Sequence, residues 1–184
     1  MFLGRRLRNP KNVFHAKQRL SDILAAHERF TRGLPDGVRA DLSGADLHRC
    51  DLRGVNLRQA IVRGAQLDGS DLREGNLGNC DFSGSTMRNC TINNADLTEA
   101  VLQNCDLGGS KITGTECFRA DFRGAILRDC VLRGSNLRAV ALQGCVLTGA
   151  DLGSASLRET DLSGVNLDGA KLEHAVVRDN TSKP

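Results

Sequence analysis

From Leu42 onward every fifth residue of this chain is apolar, and a fixed period held without a break constrains the fold more than any single motif can. Stepping by five from Leu42 reaches Leu47, Leu52, Leu57 and Val62, then passes through Phe82, Ile92, Leu132 and Leu172 to Val177. These are 28 consecutive positions, and 27 of them are Leu, Val, Ile, Met or Phe, the exception being Cys117. This position is the central one of each unit. Two residues before it the side chain is small or modest (Ala, Ser, Thr, Gly, Cys or Val), and the residue in between is often Asp or Asn. Two mostly polar residues follow the centre, the second frequently Gly.

A helix cannot use such a pattern, because a step of five residues walks about 140° around its surface and leaves no apolar face. An extended chain can. Side chains alternate faces with period two, so the small residue and the central one point inward while the Asp or Asn between them points out. The last two positions suit a turn. Each pentapeptide is therefore one short extended side and one corner, and it buries its apolar pair only when coils stack about 4.8 Å apart. Aromatics make up 3% of the chain, with no Trp and no Tyr, so the core must be narrow and aliphatic. The number of sides stays open on spacing alone. Cys50, Cys90 and Cys130 recur at a spacing that fits a 20-residue coil, while Cys90/Cys105 and Cys130/Cys145 fit 15 equally well.

The first 39 residues lie outside the repeat. Val13, Ala16, Leu20, Ile23, Leu24, His27 and Phe30 follow helical spacing, which predicts a helix over roughly residues 12–31. Gly33, Pro35, Asp36 and Gly37 end it. An open solenoid end exposes apolar side chains and unpaired strand edges, so this helix is expected to cap the first coil. The segment holds 9 Lys/Arg against 3 Asp/Glu, whereas the repeat and tail are slightly acidic. Arg5, Arg6, Arg8 and Lys11 read as a solvated arm, or as a contact for anionic lipid or nucleic acid.

The chemistry-bearing residues follow the repeat rather than a site. Six cysteines (Cys50, Cys80, Cys90, Cys105, Cys130 and Cys145) take the small inward position and Cys117 a central one, which predicts buried reduced thiols. The four histidines are scattered, and no nucleophile elbow, phosphate loop or dinucleotide fingerprint occurs. No catalytic, cofactor or metal site is expected, and no small-molecule substrate. No apolar run is long enough to span a membrane, and the N-terminus lacks the apolar stretch of a secretory signal, so the expected location is the cytoplasm.

The units Ala-Asp-Leu, Cys-Asp-Leu and Ser-Asn-Leu resemble the A(D/N)LXX consensus of the pentapeptide-repeat family over residues 40–179. The resemblance implies an all-β fold, a right-handed quadrilateral β-helix of about seven coils and a rod about 34 Å long. The domains then read 1–39 for the arm and capping helix, 40–179 for the solenoid and 180–184 for the tail. Helix-then-Arg-Ala-Asp-Leu openings are common in bacterial members.

Under that coil, outward positions on the side of Leu42 run Asp41, Ile61, Asp81, Val101, Asp121, Ala141, Asp161. Arg123, Arg128, Arg133 and Arg138 girdle one coil, and Arg138, Arg158 and Arg178 end another side. These residues are the candidate interaction surface, and the expected function is a non-catalytic module docking an unknown protein partner on its side. The alternative implied by the resemblance is the Qnr and MfpA branch, whose acidic rods mimic DNA and bind DNA gyrase. The solenoid here is nearly neutral, and only seven residues follow Val177, with no dimerising helix. The open last coil predicts a homodimer through that end.

Overall fold

The computed structural model describes residues 6–177. It bears out the repeat as a four-sided coil. Parallel bridges pair each outward residue with the one twenty positions on, from Asp41 with Ile61 to Ser156 with Val176, so four pentapeptides make one turn and the fifteen-residue alternative falls. The sides are numbered here as faces one to four, after Leu42, Leu47, Leu52 and Leu57. Most rungs are made by three hydrogen bonds, as in the first coil. The Leu42 N–H donates to the Ile61 carbonyl (2.7 Å), the Ile61 N–H to the Ala40 carbonyl (3.0 Å) and the Gly44 N–H to the Arg63 carbonyl (2.8 Å).

Corners are tight turns in which, typically, the central carbonyl accepts the N–H three residues on, as Leu42 does from Ala45 (3.0 Å). The second residue after the centre has positive φ at every corner from Gly44 to His174, the demand a type II turn makes on its third residue. Glycine meets that demand without strain. Fourteen corners carry another residue, five of them Asn or Asp and the rest including Arg49, Gln59, Glu74 and Ala139, each at a cost of about 1 kcal/mol.

The central side chains from Leu42 to Leu157 are at most 3% exposed. The small inward positions explain why Ala, Ser, Thr and Cys exchange there. The inward hydroxyls, and the thiols of Cys90, Cys105 and Cys130, donate to the central carbonyl of the preceding coil, as Ser70 Oγ does to Leu47 (2.6 Å) and Cys90 Sγ to Leu67 (3.0 Å), so these buried polar atoms are satisfied.

The N-terminal region departs from the expected helix. A 3₁₀ turn spans Pro10–Asn12, a hairpin joins β1 (Phe14–His15) to β2 (Gln18–Arg19), and α1 runs only over Leu20–Thr31. Ala16 and Lys17 both take positive φ, the turn that a two-residue hairpin loop requires, and this breaks the helix that Val13 and Ala16 had implied. At its other end α1 closes as expected, with Gly33 at positive φ and the Leu34 N–H reaching back to the Arg29 carbonyl (2.9 Å).

α1 lies on the first coil. Leu20 and His27 are fully buried, His27 Nδ1 accepts the Ala40 N–H (3.1 Å), and Asn56 Nδ2 donates to Glu28 and Thr31 (2.9 Å each). No described helix is long and apolar enough to cross a membrane.

Candidate functional site

The outer faces carry the polar chemistry, and their geometry starts at the corner. The Asp or Asn before each centre turns its side-chain oxygen back onto the backbone N–H of the residue after the centre. Asp41 takes it from Ser43 (3.0 Å), Asp81 from Ser83 (3.0 Å), Asp121 from Arg123 (3.1 Å), Asp161 from Ser163 (2.9 Å) and Asn136 from Arg138 (3.1 Å). Fifteen units close this way, one of them with Glu116. The recurrent Asp is thus a side-chain cap for a corner, the same local bond that favours Asp and Asn in turns generally.

The expected stripe on face one is in place, with bridges ordering Asp41, Ile61, Asp81, Val101, Asp121 and Ala141. Among the described residues the ladder breaks at the next step, and Asp161 is not paired with Ala141. The carboxylates of the stripe are already engaged. Asp81 also holds Arg63 (2.6 Å), and Asp121 holds Arg123 (2.5 Å) and Gln103 (2.6 Å). Hydrogen bonds from Arg123 are the main reason the Asp121 carboxyl is drawn down to about 2, and those from Ser43 lower Asp41.

The arginine girdle is also mostly spent. Arg123 pairs with Asp121, Arg133 with Asp151 (3.2 Å) and Arg138 with Glu159 (2.7 Å), while Arg138 and Arg119 flank the Phe118 ring at 5.4 and 4.9 Å. Arg128 has no ion-pair partner among the described residues, and neither does Arg158. Arg178 and Arg5 lie outside the described residues.

The basic arm is turned onto the solenoid. Arg8 adds a rung beneath Cys50, donating its N–H to the Arg49 carbonyl (2.6 Å) and accepting from Asp51 (2.9 Å). Its guanidinium meets Asp46 at 3.0 Å. The Arg6 carbonyl accepts from Arg49 (2.9 Å) and the Lys11 N–H donates to Asn9 Oδ1 (2.9 Å), while both residues stay exposed. Arg8 is therefore a structural element of the first coil rather than a free lipid or nucleic-acid contact.

Of the apolar exceptions to the corner cap, sequence reasoning found those on face one but missed those on the other faces. Seven outward positions before a centre are apolar: Ile61, Val101, Ile126, Val131, Ala141, Val146 and Val176. Those on face one alternate with aspartates. Ile126 and Val146 instead bridge directly on face two, and Val131 follows on face three of the same coil as Ile126. Ile126 is 40% exposed, the highest value for a large apolar side chain on the sides of the rod before the last coil. Beside it lies a cavity of about 470 Å³ over Gly108 and Gly109, walled by Arg88, Asn89, Asp106, Ile126, Arg128 and Asp129.

All seven cysteines are free and buried. Burial pushes their thiols up, Cys50 to about 11 and Cys105 to about 12, the opposite of what a reactive thiolate needs. Among the described residues no group of His, Cys, Asp and Glu is arranged to hold a metal ion.

Two family models match the chain. A pentapeptide repeat region covers residues 40–117, and pentapeptide repeats in eight copies cover residues 115–153 and 141–179. No curated protein matches. Among solved structures, HetL from Nostoc sp., a pentapeptide repeat protein involved in heterocyst differentiation regulation, is 27% identical over 78% of this chain and 69% of its own, with a TM-score of 0.44. A pentapeptide repeat protein of the Arabidopsis thaliana thylakoid lumen is 27% identical over 54% of this chain and 63% of its own, with a TM-score of 0.36. QnrB1, a plasmid-mediated fluoroquinolone resistance protein, is 18% identical over 76% and 90%, with a TM-score of 0.42.

Proposed function

The chain belongs to the pentapeptide-repeat family, and from that premise we propose that it is a non-catalytic, cytoplasmic protein-docking rod of about seven coils, capped at its N-terminal end by α1. One observation carries the docking reading. Most outward carboxylates are consumed by corners or by neighbouring arginines, and the outward positions that abandon the corner cap include Ile126 and Val146, bridge partners on face two, with Val131 on the next face of the same coil as Ile126. The exchange gives up a side-chain cap on a backbone N–H and exposes apolar area in its place. Apolar area gathered inside a polar rim is what protein interfaces present.

The test is photocrosslinking in the native host, with a photoreactive residue placed once per face at Gln103, Gln66, Lys111 or Thr98. Discrete adducts to another protein from one side are expected. A rod that yields no heterologous adduct from any face would refute docking.

The last coil supports a second contact, with another copy of this chain. Leu172 and Val177 are 38% and 48% exposed, where their counterparts Leu152 and Leu157 are at most 1%, and an end-to-end two-fold pairing would cover both.

A further inference from the structure

We infer that the corner between faces two and three at Ile126 receives a protein segment that inserts one aliphatic or aromatic side chain into the cavity over Gly108 and sets a carboxylate on Arg128. This rests on the docking reading above and adds the site and the chemistry of its occupant.

Three independent features converge there. The first is depth. The position after the centre on face two carries Arg88, then Gly108, then Arg128 in successive coils. The missing side chain at Gly108 leaves the cavity between two long ones, and a Cβ added there would touch only Asp106 Oδ1 at 3.3 Å and the Arg128 carbonyl at 3.9 Å. The second is apolar area. Ile126 forms one wall, and Val146, its bridge partner, continues the apolar surface on the next coil. The third is charge. Of the four arginines that girdle this coil, Arg128 is the one without an ion pair among the described residues, while Arg88 on the far wall is held by Asp68 at 2.6 Å.

A recess with one aliphatic wall, Ile126, a bare backbone floor at Gly108 and Gly109, and the guanidinium of Arg128 at its edge fits one apolar side chain next to a single acidic one placed on the Arg128 side, away from Asp106 and Asp129. Nucleic acid fits poorly. No aromatic ring is present among the residues lining the cavity for a base to stack on.

The fold supplies its own variants. Ile126→Asp and Val146→Asn restore the residue types that cap corners elsewhere, so both are expected to fold with an unchanged or higher Tm. Ile61→Asp makes the same change on face one and serves as the control. The probe is a fluorescein-labelled peptide, Glu-Asp-Leu-Phe-Glu-Asp, titrated by anisotropy beside its lysine-for-acid counterpart and a 20-nucleotide oligothymidine.

The acidic peptide should bind the wild type and the Ile61→Asp control alike. Its affinity should fall at least about tenfold in Ile126→Asp and in Arg128→Ala, a loss of about 1.4 kcal/mol. The site is overturned if the acidic peptide binds no better than the basic one or is indifferent to Ile126→Asp. It is equally overturned if oligothymidine binds more tightly, or if Ile126→Asp abolishes self-association instead. Crosslinks that persist from other faces alongside such a result would leave the docking reading standing and remove this site alone.

Discussion

Each residue type in the repeat answers a local bond. The outward Asp caps a backbone N–H, the inward Ser or Cys donates to a carbonyl, and the corner residue tolerates a left-handed backbone. Corner glycines are consequently not equivalent. At Gly134 an added Cβ meets nothing within 4 Å, so alanine there bears only the positive-φ cost of about 1 kcal/mol. At Gly124 the Asn104 amide oxygen of the coil before occupies the space a Cβ would take. Gly124→Ala should therefore lower stability by about 1 kcal/mol more than Gly134→Ala, as read from urea midpoints at equal slope. The capped carboxylates make a second prediction. The Asp121 carboxyl sits near 2 in the folded chain against an ordinary 3.8. Its stabilisation is complete above pH 3.8 and is lost as the pH falls towards 2. Thermal midpoints between pH 2 and 6 should show a shallower acid limb for Asp121→Asn than for the wild type.

The elements differ in how much of them the sequence reveals. The solenoid is legible because its constraint repeats, and Leu42 through Leu172 report the same inward direction again and again. The N-terminal element is read once and without redundancy. Val13, Ala16 and Leu20 have helical spacing, yet Val13 precedes a hairpin whose turn depends on backbone angles at Ala16 and Lys17 that composition does not announce. The candidate surface was legible in position and not in role, because an outward Asp looks the same whether it is free or bonded to the N–H two residues on. That Arg128 alone of its girdle lacks an ion-pair partner among the described residues depends on neighbours a coil away, such as Asp151 beside Arg133.

The junction of α1 with the first coil carries its own pH dependence. Burial lowers the His27 imidazole below 6.5, with Glu28 on its own helix and the Arg58 backbone of the first coil acting against that shift and Arg39 of the connecting segment adding to it. A group held neutral when folded gives stability that is present above pH 6.5 and lost as the pH falls below it. Melting followed by helix ellipticity should therefore weaken from pH 7.5 to 5, and His27→Leu should flatten that slope while lowering stability throughout, since it strips the Ala40 N–H of its acceptor. A slope unchanged by the substitution would place the titration elsewhere.

At the scale of the whole molecule the buried thiols report integrity. Cys50, in the first coil, and Cys145, in the sixth, are both at most 2% exposed, so thiol reagents should modify none of the seven until denaturant opens the rod. Rapid labelling of several in native buffer would contradict the inward assignment. Light scattering at micromolar concentration should give twice 19.8 kDa, and Leu172→Glu should return it to one copy. A folded dimer that survives Leu172→Glu would move the contact away from the last coil. The sides bear little net charge, face four matching Arg58, Arg119, Arg138 and Arg158 with Asp96, Glu99, Glu116 and Glu159, so added protein is expected to leave gyrase supercoiling unchanged.

The twenty-residue offset of the bridges has one more consequence. Sliding one coil past the next by a single pentapeptide would still put every leucine inside and every aspartate outside, so the apolar pattern cannot by itself select the native alignment. The choice falls to features that do not repeat every five residues. Phe82 and Phe122 share one column with Leu102 between them, the Asn104 side chain needs Gly124 beneath it, and Arg63 reaches Asp81 on the following coil. An idealised chain of identical units would keep the rod and lose its single registration, giving coils that start at several places along the sequence. The irregular residues are what make the structure unique.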